Sequence, residues 1–462
     1  MFIAILLSQL PASPTHADPS IDPRFGVVQA YEAADDADEV EVGWERLFFS
    51  WPDMQPEGPD QWDEPYYGDA VIDGEVAAGR ELVGLLISTP PWASDGKTFA
   101  SVPRGLYLPY DDADNTWGQF VAGMARRYAG RIDRWVVWNE PDIWDEGHPA
   151  HTWEGSVEDY YRLVQVAYLA ARDANPDAKI HLGAFTYWWD VNYGRRPYLL
   201  RFLDVVAADP TGPAHNYYFD AATVHAYFRP EQVYDLVQFT RQAMLNRGID
   251  KQVWVNETNA PPSDDPVNPI NGPLFPVRLE EQPAFLIQAF AMAFAAGAER
   301  VEVYKMYDEA QLYSGEPYGL VRHDFSRRPA LRAFDAVTDH FAGFTSATLR
   351  RVGPVNAVRL DRPSGATTVL WNRSSGDLLV RLPAATAGAW LVDAMNRRRI
   401  VRATAGAFWL RLPGTNCRHN DCFIGGPPRL LVEAGQPPDT SIAVLPYRPW
   451  GWAGTAPPLV PR

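Results

Sequence analysis

Between Arg24 and His340 the chain alternates short apolar runs with helix-period segments, and this alternation restricts its fold more than any other feature. The apolar runs are RFGVVQA, WERLFFSW, LVGLLIS, RWVVWNE, KIHLGAF, AATVHAY, QVWVNET and RVEVYKMY. Each has the length and the branched or aromatic content of a strand buried on both faces. Between them lie helix-period stretches, the clearest being NTWGQFVAGMARRYAG, VEDYYRLVQVAYLAARDA, PEQVYDLVQFTRQAMLNRG and QPAFLIQAFAMAFAAGA. The second runs into Asn175-Pro176 and the third ends at Gly248, both expected helix stops. Eight strands alternating with helices predict a (β/α)8 barrel over residues 22–344. A doubly wound open sheet also alternates, but it carries a Gly-rich phosphate turn after its first strand. GVVQAYEAADD has no such turn.

After Phe344 the texture changes to short alternating runs punctuated by Gly, Pro, Asn and Ser, such as ATTVLWNRS and RIVRATAGAFWLRLPG. That pattern predicts a small antiparallel β-sandwich over 345–435, followed by a Pro-rich tail, strapped down or disordered, over 436–462. Residues 1–17 read as the apolar and cleavage regions of a secretory signal, without its basic start, so export is expected. The two cysteines, Cys417 and Cys422, bracket four residues, a spacing suited to a small disulfide loop in an oxidising compartment. Two such ligands alone are poor evidence for zinc. No run of about 18 apolar residues follows the N-terminal segment, so no membrane span is expected.

Net charge is −17, from 58 acids against 41 bases, which argues against nucleic acid as a partner. Arg397-Arg398-Arg399 is only a short local cluster. The 17 Trp, 21 Tyr and 21 Phe are mostly accounted for by core filling, but a handful suit a sugar-binding cleft, which uses aromatic faces against pyranose C–H faces. Oligomeric state has no sequence signal.

A barrel carries its chemistry at the C-terminal ends of its strands. Strand four ends in Asn139-Glu140-Pro141-Asp142 and strand seven in Asn256-Glu257. The two glutamates, 117 positions apart, therefore meet at one mouth of the barrel. Opposed carboxyls are what glycosidic bond cleavage requires: a protonated one donates to the leaving oxygen while an ionised one attacks the anomeric carbon. Different surroundings split their pKa values. Glu257 is the candidate nucleophile and Glu140 the candidate acid/base, with a carboxyl separation of roughly 5–5.5 Å expected for retention of configuration. Among the nine histidines there is no H-E-x-x-H or comparable cluster, so no metal or other cofactor is expected.

On these residues, and on RFGVVQA and WPDMQPEGPDQW, the chain resembles the clan A retaining glycoside hydrolases, with family 39 foremost and families 30 and 5 as neighbours. The resemblance implies further roles. Asn139 would bond the sugar 2-hydroxyl; His225 and Tyr227 match the clan's H-x-Y, with Tyr227 donating to the nucleophile; Arg46 would sit beside Glu257. Strand eight departs from the clan: where many members place a Trp floor, VEVYKMYDE offers Tyr304, Lys305 and Tyr307. Tyr307 is expected to stack in its place, or Lys305 or Asp308 to read a substrate substituent. Trp51, Trp92, Trp188 and Trp189 follow strands and are candidate sugar platforms, and His148 is a candidate cleft residue. The leading expectation is a β-glycosidase of β-xylosidase, β-glucosidase or β-glycanase type acting on a carbohydrate substrate. A non-catalytic carbohydrate-binding barrel and a transglycosylase on the same scaffold are the alternatives.

Overall fold

The apolar runs become strands because both of their faces are covered, one by helices and one by the barrel interior. The computed structural model describes residues 21–447 except 97, 274, 311–316, 417–421 and 437–440. Eight parallel strands close on themselves: β1 (Phe25–Val27), β2 (Trp44–Ser50), β3 (Glu81–Ile87), β4 (Arg134–Val137), β5 (Lys179–Leu182), β6 (Ala221–His225), β7 (Gln252–Thr258) and β8 (Arg300–Val303), with β8 pairing back onto β1. The fold is a (β/α)8 barrel. Every residue of β6 and β8 is buried, including Arg300 and Glu302 of β8.

Side-chain caps fix the starts of two of the connecting helices. Ahead of Val157–Ala174, Ser156 Oγ accepts from the Asp159 amide (3.1 Å) and Asp159 accepts from the Ser156 amide (2.8 Å), satisfying two orphan donors at once. Asn115 Oδ1 likewise accepts from the Gly118 amide (3.0 Å) at the start of Thr116–Arg127. The Ser156 cap sets where the long loop after β4, 138–156, must end.

The C-terminal region is antiparallel. Strands β9 (Ser346–Val352), β10 (Val355–Arg362), β11 (Gly365–Asn372), β13 (Gly388–Asp393), β14 (Arg398–Arg402) and β16 (Arg429–Glu433) form one sheet. Strands β12 (Leu378–Pro383), β15 (Ala407–Leu412) and β17 (Ala443–Pro446) form a second. Val355, Leu370, Val380, Leu410 and Leu431 pack together between them. β17 corrects the reading of 436–462 as a tail: Val444 and Leu445 pair with Val380 and Leu379 of β12. Its four residues end in proline, too short a run to stand out from Pro-rich surroundings. Residues 1–17 and 448–462 lie outside the described residues. Cys422 is disulfide-bonded, while Cys417 lies outside the described residues. No helix among the described residues is long and apolar enough to cross a membrane.

Candidate active site

Burial of β4 holds the acid at its tip. Val136 and Val137 are closed off within the barrel wall, and the chain then turns sharply, with Trp138 (φ 69°) and Glu140 (φ 46°) both in the left-handed region. For residues with a Cβ each such conformation costs about 1–3 kcal/mol and persists only where the surroundings over-determine it. Here they do. Trp138 donates from its amide to Leu86 O (2.9 Å) and from its indole to Thr152 O (2.9 Å), and Thr152 Oγ1 donates to Asn139 O (2.5 Å). The Glu140 amide donates across to Ala184 O after β5 (3.1 Å).

Two positions on, Asp142 is buried, and its carboxylate accepts from Thr186 N (2.8 Å), Thr186 Oγ1 (3.0 Å) and Tyr187 N (3.1 Å). It ties the loop after β5 to the loop that carries Glu140. Burial, with the neighbouring Glu140 charge adding to it, pushes the Asp142 carboxyl up to about 7 against the pull of these bonds.

Glu257 comes from β7 and faces Glu140, with one carboxylate oxygen of each within 4.8 Å of the other. His225, at the end of β6, stands between them: its Nδ1 bonds Glu140 Oε1 at 2.6 Å and lies 3.3 Å from Glu257 Oε2. Tyr227 donates its hydroxyl to Glu257 Oε2 (2.5 Å), and an Arg46 guanidinium N–H donates to Glu257 Oε1. Burial works to raise the Glu257 pKa, but the charges of His225 and Arg46 and the bonds from Arg46 and Tyr227 hold it below the usual carboxylate range.

A third carboxyl lies beneath the pair. Glu302 of β8 is fully buried, accepts from the Arg46 amide (2.8 Å) and sits 3.8 Å from Arg46 Nε. Burial keeps its pKa well above the ordinary value, which leaves the Arg46 charge to serve Glu257. Glu140, His225 and Glu257 are also the one cluster of metal-ligating type among the described residues. The Arg46 guanidinium already neutralises Glu257, so this donor set suits a carboxylate pair better than a cation.

No protein-family model and no curated protein matches the sequence. Solved structures do match. A family 39 glycoside hydrolase from the gut symbiont Bacteroides cellulosilyticus WH2 aligns at TM-score 0.65 and 14% identity over 89% of this chain and 81% of its own. A family 39 β-xylosidase from Caulobacter crescentus aligns at 0.57 and 15% over 91% and 97%. A family 30 endoxylanase from Clostridium papyrosolvens C71 aligns at 0.58 and 11% over 90% and 98%. The fold is that of family 39 and family 30 glycoside hydrolases.

Within this glycoside hydrolase fold the sequence-predicted residues fall into two groups. Glu140, Glu257, Arg46, His225 and Tyr227 converge, and Asn139, half-buried beside Glu140, makes no side-chain hydrogen bond to a described residue. The aromatic candidates mostly do not join them. Trp51 is fully buried, stacked on Phe120 at 4.8 Å with its indole bonded to Gln55, and presents no face to a substrate. Trp92 is half-buried, edge-on to Trp51, and its N–H is spent on Gln55 O (2.7 Å).

Tyr307 corrects the reading of β8. Its hydroxyl donates to His323 O (2.8 Å) and its ring packs on Phe325, whereas Tyr304 lies against Tyr227 and Tyr318 and feels the charges of Glu257, Arg46 and Glu140. The aromatic beside the acid pair is Tyr304. Asp308 is buried in an ion network with Arg328 (2.6 Å), and Lys305 pairs with Glu309, so both are committed to the protein. His148 packs against Trp189 at 4.6 Å, in an aromatic group with Trp144 and Tyr193. Asp142, Glu302 and Tyr304 were missed as site residues. Glu302 did carry a signal, an acid at an alternating position inside an apolar strand.

Proposed function

We propose that this protein is a retaining glycoside hydrolase that cleaves β-glycosidic bonds by double displacement. The observation that carries the reading is the facing pair, Glu140 and Glu257, with oxygens within 4.8 Å and two donors fixed on Glu257 alone. Inverting enzymes hold their carboxyls about 6.5–9.5 Å apart to admit a water, and retaining ones about 5–5.5 Å. Glu257, kept ionised by Arg46 and Tyr227, attacks the anomeric carbon. Glu140 protonates the leaving oxygen, then takes a proton from the water that releases the sugar. Asn139, its amide free of described partners, is positioned to read a substrate hydroxyl. The neighbours include a β-xylosidase and an endoxylanase, which favours β-xylosides as first substrates. Export belongs to the same reading, supported by the disulfide at Cys422.

The test is Glu257→Ala assayed on 4-nitrophenyl β-xyloside and β-glucoside. Turnover should vanish, and azide should restore it with a glycosyl azide of inverted configuration. Undiminished turnover in the variant, or inverted sugar from the wild type by NMR, would overturn the assignment. Saccharide binding without any turnover would mark a non-catalytic binding barrel instead.

A further inference from the structure

Past Glu140 and Asp142, the loops after β4 and β5 carry a second group of side chains that the acid pair does not use. Trp144 (37% exposed) and Tyr193 (63% exposed) present ring surface to solvent, with Trp189 half-buried between their loops. Exposed aromatics this large rarely cluster without a partner. They are held in place rather than loosely exposed. The Trp144 indole donates to Trp189 O (3.0 Å), and Tyr193 lies perpendicular to Trp144 at 5.2 Å and parallel to Trp189 at 6.1 Å. The Arg195 guanidinium covers one side of Trp144 at 4.7 Å and reaches the buried Asp190 at 3.3 Å; Arg201 bonds the same Asp190 at 2.8 Å.

Location gives the group its meaning. Trp144 follows Glu140 by four residues, with the Ile143 amide bonded back to Glu140 O (3.2 Å), and the Asp142 clamp fixes the β5 loop beside it. An acid/base carboxyl stands on the leaving-group side of the scissile bond, so what extends outward beyond it lines the path of the departing chain. Rings with exposed faces, flanked by a guanidinium, offer what a pyranose binds: C–H faces to stack and hydroxyls to bond.

We propose that Trp144, Trp189 and Tyr193 form the platform that receives the leaving-group sugars of a β-linked oligosaccharide, so that the enzyme acts on chains extending beyond the cleaved bond rather than only on single terminal glycosides. The proposal rests on Glu140 being the acid/base, and its test separates the two. Trp144→Ala, Tyr193→Ala and Tyr193→Phe are compared with wild type on xylotetraose and cellotetraose, and on the matching 4-nitrophenyl β-glycosides.

For each Ala variant the ratio of kcat/KM on the tetrasaccharide to that on the aryl glycoside should fall about tenfold, the worth of one stacked ring. Tyr193→Phe, which keeps the ring, should hold the ratio. An unchanged ratio in the Ala variants overturns the platform, as does equal loss with Phe and Ala. So does turnover of aryl glycosides with no tetrasaccharide cleaved; in that case the catalytic reading stands. If the wild type turns over neither class, the catalytic reading has failed, and calorimetric titration decides the platform. Tetrasaccharide binding lost in Trp144→Ala supports it; binding that is absent or unaffected overturns it.

Discussion

Arg46 from within β2, and His225 and Tyr227 from the end of β6, all converge on Glu257. The chemistry follows from that asymmetry, since Glu140 shares only His225. Tyr227→Phe tests it with the smallest change, removing one hydroxyl that donates to an ionised oxygen. A hydrogen bond to a charged group is worth about 1.5–3 kcal/mol, so kcat/KM should fall roughly 10- to 100-fold. The Glu257 pKa, now held low, should rise, moving the acid limb of the kcat/KM profile to higher pH. A profile whose acid limb does not move would show that Tyr227 leaves the nucleophile's ionisation alone. Glu140 and Glu257 were legible in the sequence because strand ends of a barrel share one mouth whatever the loops do, whereas Arg46, His225 and Tyr227 came only from the resemblance to the clan. The aromatics were not, because a residue just past a strand end faces wherever the turn sends it. Trp51 opens the short helix Trp51–Met54 and is folded beneath it, and Tyr307, three positions after Tyr304, packs on Phe325 instead of at the acid pair.

At the scale of elements, the two ends of the barrel strands do opposite work. At the N-terminal end Arg134, the first residue of β4, and Arg300, the first of β8, both pair with Glu81, the first of β3. Above them His181 of β5 packs edge-on to Trp254 of β7 at 4.4 Å, with both ring nitrogens buried and unpartnered. Burial, reinforced by the charges of Arg134 and Arg300, lowers its pKa well below the ordinary 6.5. Folding therefore excludes a proton that the unfolded chain accepts. Stability from this residue is fully present above about pH 6.5 and is lost as pH falls toward the lowered folded value, at up to about 1.4 kcal/mol per pH unit. His181→Phe should flatten this acid limb, while costing little at neutral pH because no hydrogen bond is removed. The measurement is unfolding free energy against pH for both proteins, and parallel curves would refute it. The eight barrel strands were readable because burial on both faces leaves short, mostly apolar runs between helix-period stretches. β17 was not, since an edge strand of four residues needs only its partner β12 to exist.

Across the whole molecule, part of the sandwich joins the barrel's hydrophobic core, while the space between the two sheets holds a core of its own. Val358, Leu360, Val369, Trp371 and Leu430 of the sandwich belong to the same packed cluster as the barrel interior. The helix Gln282–Ala295 lies between the two, and from Gln282 to Phe294 every residue is buried, so no face of it is left for water. That explains a helical stretch with hardly a polar residue, where a barrel helix facing solvent would be amphipathic. One polar side chain crosses the join: Gln288 is fully buried, donates to Gly425 O (3.1 Å) and Gly426 O (3.0 Å), and accepts from the Gly425 amide (3.0 Å). The amide fits because the glycines bring their backbone close; a Cβ on Gly425 would lie 2.8 Å from Gln288 Oε1 and 2.2 Å from the Trp371 ring. Gln288→Leu keeps the volume but strands three backbone groups, a cost of about 1–3 kcal/mol. With a core continuous across the join, that loss should lower the temperature of a single calorimetric transition shared by barrel and sandwich. Two separate transitions in the wild type, or a shift confined to one of them in Gln288→Leu, would show that the parts fold independently and that the buried helix belongs to the barrel alone.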